Sequence, residues 1–252
     1  MLPRFLFFIS IVFSLQAAFA APQIENQKSF RLDIEGALAW QSLNKNQVPN
    51  SVLGTRFDLA DFKRSAIFAP RFYLTYQLTP NHSLRAMVFP FQTEGSKTFD
   101  SNVNFDGVNF VSGQPVIGKY RFHSYRLTYQ YEFLKNENWI LKAGFTAKVR
   151  NALIALSQNS TVREYSNVGF VPLLNFNARY LLSADWRLEL DMDALAAPQG
   201  RAEDIVIQGW YAVSPDWELG LGYRTLEGGA DNSKVYTFAW LHFLTFTASY
   251  KW

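Results

Sequence analysis

Cysteine is absent from all 252 residues, and histidine occurs only three times. Without thiols the chain has no disulfide framework, no thiolate metal site, no cysteine nucleophile and no cysteine for lipid attachment after an export signal. Neither sign of charge is in excess: 24 Lys+Arg against 21 Asp+Glu leave a net +3. That balance argues against a nucleic-acid partner. Beyond residue 20 no apolar run reaches the roughly 20 residues that a membrane-crossing helix needs. Any span in that part must therefore be made of strands, whose backbone groups pair with one another. Mean hydropathy is close to zero, at −0.09, which fits strands whose two faces cancel in the average.

What is present at the start reads as a cleavable signal peptide over residues 1–20. Arg4 supplies the positive end, Phe5 to Leu15 the apolar segment, and Ala18-Phe19-Ala20 the small-x-small cleavage pattern. The expected mature chain, 21–252, begins at Ala21 as one domain, since no linker or low-complexity stretch divides it.

Aromatic residues make up 17% of the chain, and they recur with a period of two. Phe72, Leu74, Tyr76 and Leu78 alternate with Arg71, Thr75 and Gln77. Trp186, Leu188, Leu190 and Met192 alternate with Arg187, Glu189, Asp191 and Asp193. Such alternation marks strands with one apolar and one polar face. Ten segments of this kind are expected, with eight and twelve strands left open. Short turns are expected at Pro80–Ser83, Lys135–Asn138, Ser183–Asp185 and Ser214–Asp216. Longer links are expected over 43–65, 95–117 and 151–165, and brief ones near 197–203 and 228–233. Asp106-Gly107 suggests a hairpin turn within the 95–117 link. That hairpin would either meet a surface partner or lipopolysaccharide, or cover the barrel mouth. A three-residue turn at Ser183–Asp185 predicts the register: Arg179 opposite Glu189, Asn177 opposite Asp191 and Asn175 opposite Asp193, all on the polar face.

Three of the short turns lead directly into Trp139, Trp186 and Trp217, and the last segment, Lys234 to Trp252, reads KVYTFAWLHFLTFTASYKW. Tryptophans aligned one residue past the turns suit a membrane–water interface. With the terminal aromatic strand, they make the chain resemble the small Gram-negative outer-membrane β-barrels. The resemblance implies an all-β, antiparallel up-and-down transmembrane barrel in the bacterial outer membrane, with both termini periplasmic. It also implies insertion by the barrel-assembly machinery and contact with outer-membrane lipid and lipopolysaccharide. The competing reading is a soluble periplasmic sandwich or lipocalin-like barrel with its apolar face inward.

In the membrane reading the polar face lines the lumen with mixed charges, from Arg31, Asp33 and Glu35 to Glu218 and Arg224. At ten strands the bore is narrow, and these side chains are expected to interlock as a plug. Asp191, Asp193, Glu203 and Asp204 form an acidic group, but Arg201 lies among them and no calcium-loop pattern is present. Neither metal, cofactor nor catalytic residue is assigned. The histidines His82, His123 and His242 lack the His-x-Ser spacing of outer-membrane lipases and deacylases and the Asp-x-His pairing of omptins. His123 and Ser124 are adjacent and so face opposite ways. A site pairing His123 or His242 with a Ser or Thr of a neighbouring strand stays open beside plain interface anchoring. The residues favour a non-enzymatic barrel for envelope integrity, surface interaction or restricted small-solute passage. An outer-leaflet enzyme acting on lipid A or phospholipid is the alternative.

Overall fold

The structure, a computed structural model, describes residues 28–198 and 200–252. The signal segment and the expected start at Ala21 lie outside them. Fourteen strands follow one another: β1 (Phe30–Gln47), β2 (Phe57–Asp58), β3 (Ile67–Thr79), β4 (His82–Phe89), β5 (Gln92–Thr98), β6 (Val103–Phe105), β7 (Val108–Phe110), β8 (Pro115–Lys135), β9 (Trp139–Gln158), β10 (Thr161–Leu181), β11 (Trp186–Ala197), β12 (Gly200–Ala212), β13 (Trp217–Asp231) and β14 (Tyr236–Lys251). Ten staves make a closed barrel. They are β1, β3, β4 continued by β5, and then β8 to β14 in order, each antiparallel to its neighbour. β14 returns to β1 over a register from Arg31↔Lys251 to Gln47↔Tyr236. Closure removes the free edges that an open sheet would expose.

The expected register is observed, with Arg179↔Glu189, Asn177↔Asp191 and Asn175↔Asp193 between β10 and β11. The pleat explains it: one residue of slip would turn every charged side chain of β11 outward. Leu38, Leu74, Leu127, Leu174, Leu188 and Leu221 stand exposed on the outer wall. At the end carrying Phe30, Trp252 and the short turns, here the near end, each turn tryptophan pairs with a tyrosine across strands. Trp139–Tyr180, Trp186–Tyr211 and Trp217–Tyr250 all have ring centroids 4.8 Å apart. A second set of outward aromatics, including Trp40 and Trp240, lies toward the far end. From Phe30 to Trp40 along β1 the rise is about 25 Å, given roughly 3.3 Å per residue and a barrel-strand tilt. That matches the apolar band of outer-membrane barrels.

The 151–165 link is corrected: it is strand. β9 runs to Gln158 and β10 starts at Thr161, turning through Asn159, whose φ is +53°. Leu153, Ile154, Ala155 and Leu156 are all buried, so the period-two signal vanishes where the strand leaves the apolar belt. The links at 197–203 and 228–233 also shrink, because β12 begins at Gly200 and β13 extends to Asp231. With 20 and 21 residues, β9 and β10 are about twice as long as a span requires. They rise past the far end as a wall.

Candidate functional site

The lumen is built in three tiers. At the near end, Trp210 lies between the Arg31 and Arg187 guanidinium groups, 4.8 and 4.7 Å from its ring. Glu218 accepts from Lys251 at 2.8 Å and pairs with Arg187. Glu189 accepts from Arg179 at 3.0 Å and from Asn177 at 2.8 Å. A vestibule of about 180 Å³ opens here.

The middle tier centres on Asp204. It accepts from Arg71 at 2.7 Å, Arg126 at 2.6 Å and Arg224 at 2.8 Å, three cations from three other strands. Arg126 also donates to Asp193 at 2.7 Å, and Arg224 to Glu35 and to the Tyr73 hydroxyl, both at 2.9 Å. Asp193 accepts further from Thr146 at 2.7 Å and Asn175 at 2.8 Å. Arg71 is 1% exposed and rests 4.0 Å above the Phe89 ring. Buried charges persist when paired and hydrogen-bonded; here each charged group has an ion-pair partner, while Glu35 Oε1, Arg71 Nη2 and Arg224 Nε make no hydrogen bond among the described residues. The void among these residues is about 10 Å³, no more than roughly one water. Asp193 and Asp204 are thus occupied by arginines. Asp191 goes to Arg85 at 2.5 Å, and Arg201 pairs with Glu227.

The far tier is apolar. Phe89 and Phe91 stack at 5.4 Å, and Phe243 meets both edge-on. Loop residues close over them. Asp58 caps a short 3-10 turn, Leu59–Asp61, whose Leu59 is buried with Phe57 and Phe62. This flap lies so close to β8 that a Cβ on Gly118 would come within 2.6 Å of the Phe62 ring. The β6–β7 hairpin turns at Asp106-Gly107, with φ of +48° and +81° as a two-residue turn needs. Its Phe105 and Phe110 are fully buried, and Asp106 pairs with Arg163 of β10 at 2.7 Å. Through these phenylalanines the hairpin packs over the far mouth.

Beside the flap, toward the low β11–β12 rim, lies a cavity of about 240 Å³. Tyr120, Phe122 and Lys148 face a wall of small residues, among them Gly228, Gly229 and Ala239. β10 pairs with β11 only from Leu174 onward, so the strand above it, including Pro172, has no partner on that side among the described residues. Lys148 is 3% exposed and 4.9 Å from the Phe122 ring. Among the described residues it has no ion-pair partner within 4 Å.

The histidines separate clearly. His82 lies at the near end, its Nδ1 2.6 Å from the Tyr129 hydroxyl. His123 and Ser124 take opposite faces, and Ser124 is buried against Arg126 at 3.2 Å. His242 faces outward from β14 at the level of Trp40 and contacts hydroxyls on both sides: Tyr223 at 2.6 Å and Ser42 at 2.8 Å. The β1–β14 register shifts between Gln41 and Leu43, leaving Ser42 as a bulge. Bulges re-aim side chains, and this one brings the hydroxyl to the imidazole. Sequence reasoning did not single out Ser42. Its signal is the three-residue step from outward Trp40 to outward Leu43, where the period should be two. Asp204, which the sequence groups with Asp191, Asp193 and Glu203, stands at the lumen centre. The inward series Asp204, Val206, Gln208, Trp210 carries the signal.

No family model matches the chain, and no curated protein sequence matches it. Among solved structures, the outer membrane protease OmpT from Escherichia coli superposes with a TM-score of 0.56 at 11% identity, covering 89% of this chain and 97% of that one. Neisserial surface protein A aligns at 0.37 and 12%, covering 88% and 97%. The attachment invasion locus protein of Yersinia pestis aligns at 0.40 and 8%, covering 87% and 99%. The last two scores are too low to argue from, and at 11% identity the first shows the fold alone. That fold is a closed antiparallel β-barrel, of ten staves in this chain.

Proposed function

We propose that this chain is an outer-membrane barrel whose bore is closed and whose work is done by contact at its far end, with lipid or lipopolysaccharide. It is inserted with its termini and short turns in the periplasm. The observation that carries this reading is the Asp204 cluster, where three arginines and about 10 Å³ of void span the bore. A hydrated ion does not pass such a gap without breaking ion pairs that each cost several kcal/mol to disrupt in a buried setting. The buried phenylalanines beyond it make a second seal. Support for the membrane itself comes from the exposed leucine belt between two aromatic levels. A soluble sandwich would turn that belt inward.

The far-rim cavity supports lipid contact. It sits at the level of Phe170 and Leu195, where the apolar wall ends, and Lys148 and Arg150 line it with no ion pair of their own among the described residues. An anionic headgroup answers both features. Planar-bilayer recording of the purified protein tests the closed bore. No stable conductance is expected from wild type, and a large, steady one would make a channel the better reading.

A further inference from the structure

On the outer wall, outside every lumen cavity, the geometry points to a site for cleaving ester-linked acyl chains, built from Ser42, His242 and Tyr223. Ser42 Oγ lies 2.8 Å from His242 Nε2, and His242 Nδ1 lies 2.6 Å from Tyr223 Oη. The three residues come from three adjacent staves, β1, β14 and β13. When Nδ1 carries the proton and donates it to Tyr223 Oη, Nε2 is left as the acceptor facing Ser42. A nucleophile, a base and a group that fixes the base's tautomer are the minimal parts of an acyl-transfer site.

The surroundings suit an amphiphile. Trp40 and Trp240 flank the imidazole with ring centroids 5.4 and 5.2 Å away, and Trp240 is held by Thr225 at 2.7 Å. Ser42 is exposed. Its bulge leaves it without a partner in the β1–β14 register, and β1 pairs with β3 only as far as Ala39. His82 shows the contrast. It makes the same 2.6 Å contact with a tyrosine at the near end, but among the described residues no hydroxyl meets its other nitrogen. An aromatic-belt histidine needs only a tyrosine; His242 has a serine as well.

The chemistry balances with water alone. Ser42 Oγ bonds to the ester carbonyl carbon as its proton passes to His242 Nε2. The carbon–oxygen bond to the alcohol breaks, and His242 returns the proton to the alcohol oxygen. Water then attacks the acyl-serine, again through His242, and a fatty acid leaves. The site's level on the wall rests on the outer-membrane reading. The step itself does not depend on a closed bore, so a conducting barrel would leave it standing.

The test uses the full mature protein in detergent with a tagged alkyl fluorophosphonate. Wild type is expected to be labelled at Ser42 by peptide mapping. Ser42→Ala and His242→Gln should lose labelling by more than about 100-fold while still migrating faster before boiling than after. Tyr223→Phe, a positioning change, should lower kcat toward p-nitrophenyl laurate roughly 10-fold with KM unchanged, as expected where only base orientation is lost. Phosphatidylethanolamine and lipid A micelles in separate arms identify whether the acyl chain comes from phospholipid or lipopolysaccharide. Unlabelled wild type, labelling that persists in Ser42→Ala, or no fatty acid from either lipid would overturn the inference.

Discussion

Asp193 and Asp204 face each other directly across β11 and β12, two like charges in a pairing that would ordinarily repel. Arg126 spans them, donating to Asp193 at 2.7 Å and to Asp204 at 2.6 Å. It arrives from β8, on another part of the ring, so one guanidinium both neutralises a hairpin and ties it across the bore.

Replacing Arg126 with Met should therefore destabilise the barrel by about 3–5 kcal/mol, the usual cost of leaving a buried charge unpaired. The readout is the temperature at which the fast-migrating folded band disappears on gels. Adding Asp193→Asn to the same variant removes the repulsion and should recover part of the loss. An Arg126→Met protein as heat-resistant as wild type would mean that the cluster contributes little.

The lack of cysteine makes orientation directly measurable. Val52 is 101% exposed on the far-end loop, and Ser214 sits in a near-end turn. A membrane-impermeant maleimide should label Val52→Cys in intact cells. It should reach Ser214→Cys only after the outer membrane is permeabilised. The reverse pattern would invert the proposed topology.

Gly118 tests the flap. A leucine there would collide with Leu59 and Phe62, the nearest atoms to its missing Cβ. Gly118→Leu should lift residues 48–66, seen as new proteolytic cuts in that stretch, while the barrel stays heat-modifiable. Unchanged proteolysis would show that the flap tolerates displacement without opening.

Closure is tested at the last residue. Phe30 and Trp252 exchange both backbone hydrogen bonds at 3.0 Å, and their rings stack at 5.5 Å. Deleting residues 250–252 also removes the tyrosine that pairs with Trp217. The truncated chain should insert poorly and lose the fast-migrating band. Normal insertion would place the closing information elsewhere in β14.

What could be read from sequence followed the environment of each residue. Between lipid and lumen, every second side chain must change polarity, so the ten staves and the Arg179↔Glu189 register were legible. Beyond the belt that contrast ends. Leu153 to Leu156 are buried on both faces and lose the alternation. Phe57, Phe62, Phe105 and Phe110 look like loop aromatics until the fold gathers them over the mouth. Ser42 was hidden for a different reason: its partner, His242, is far away along the chain, and the bulge that joins them appears only as a slipped phase.

That separation orders events in time. Ser42 and His242 are 200 residues apart and meet only across the β1–β14 seam, the pairing with the greatest loop-closure cost in an up-and-down ring. Consecutive hairpins can form early from local contacts; this hydrogen bond cannot. It exists only in a finished cylinder, so an unclosed barrel carries the serine and the imidazole apart, and the proposed site is assembled by the last pairing to form.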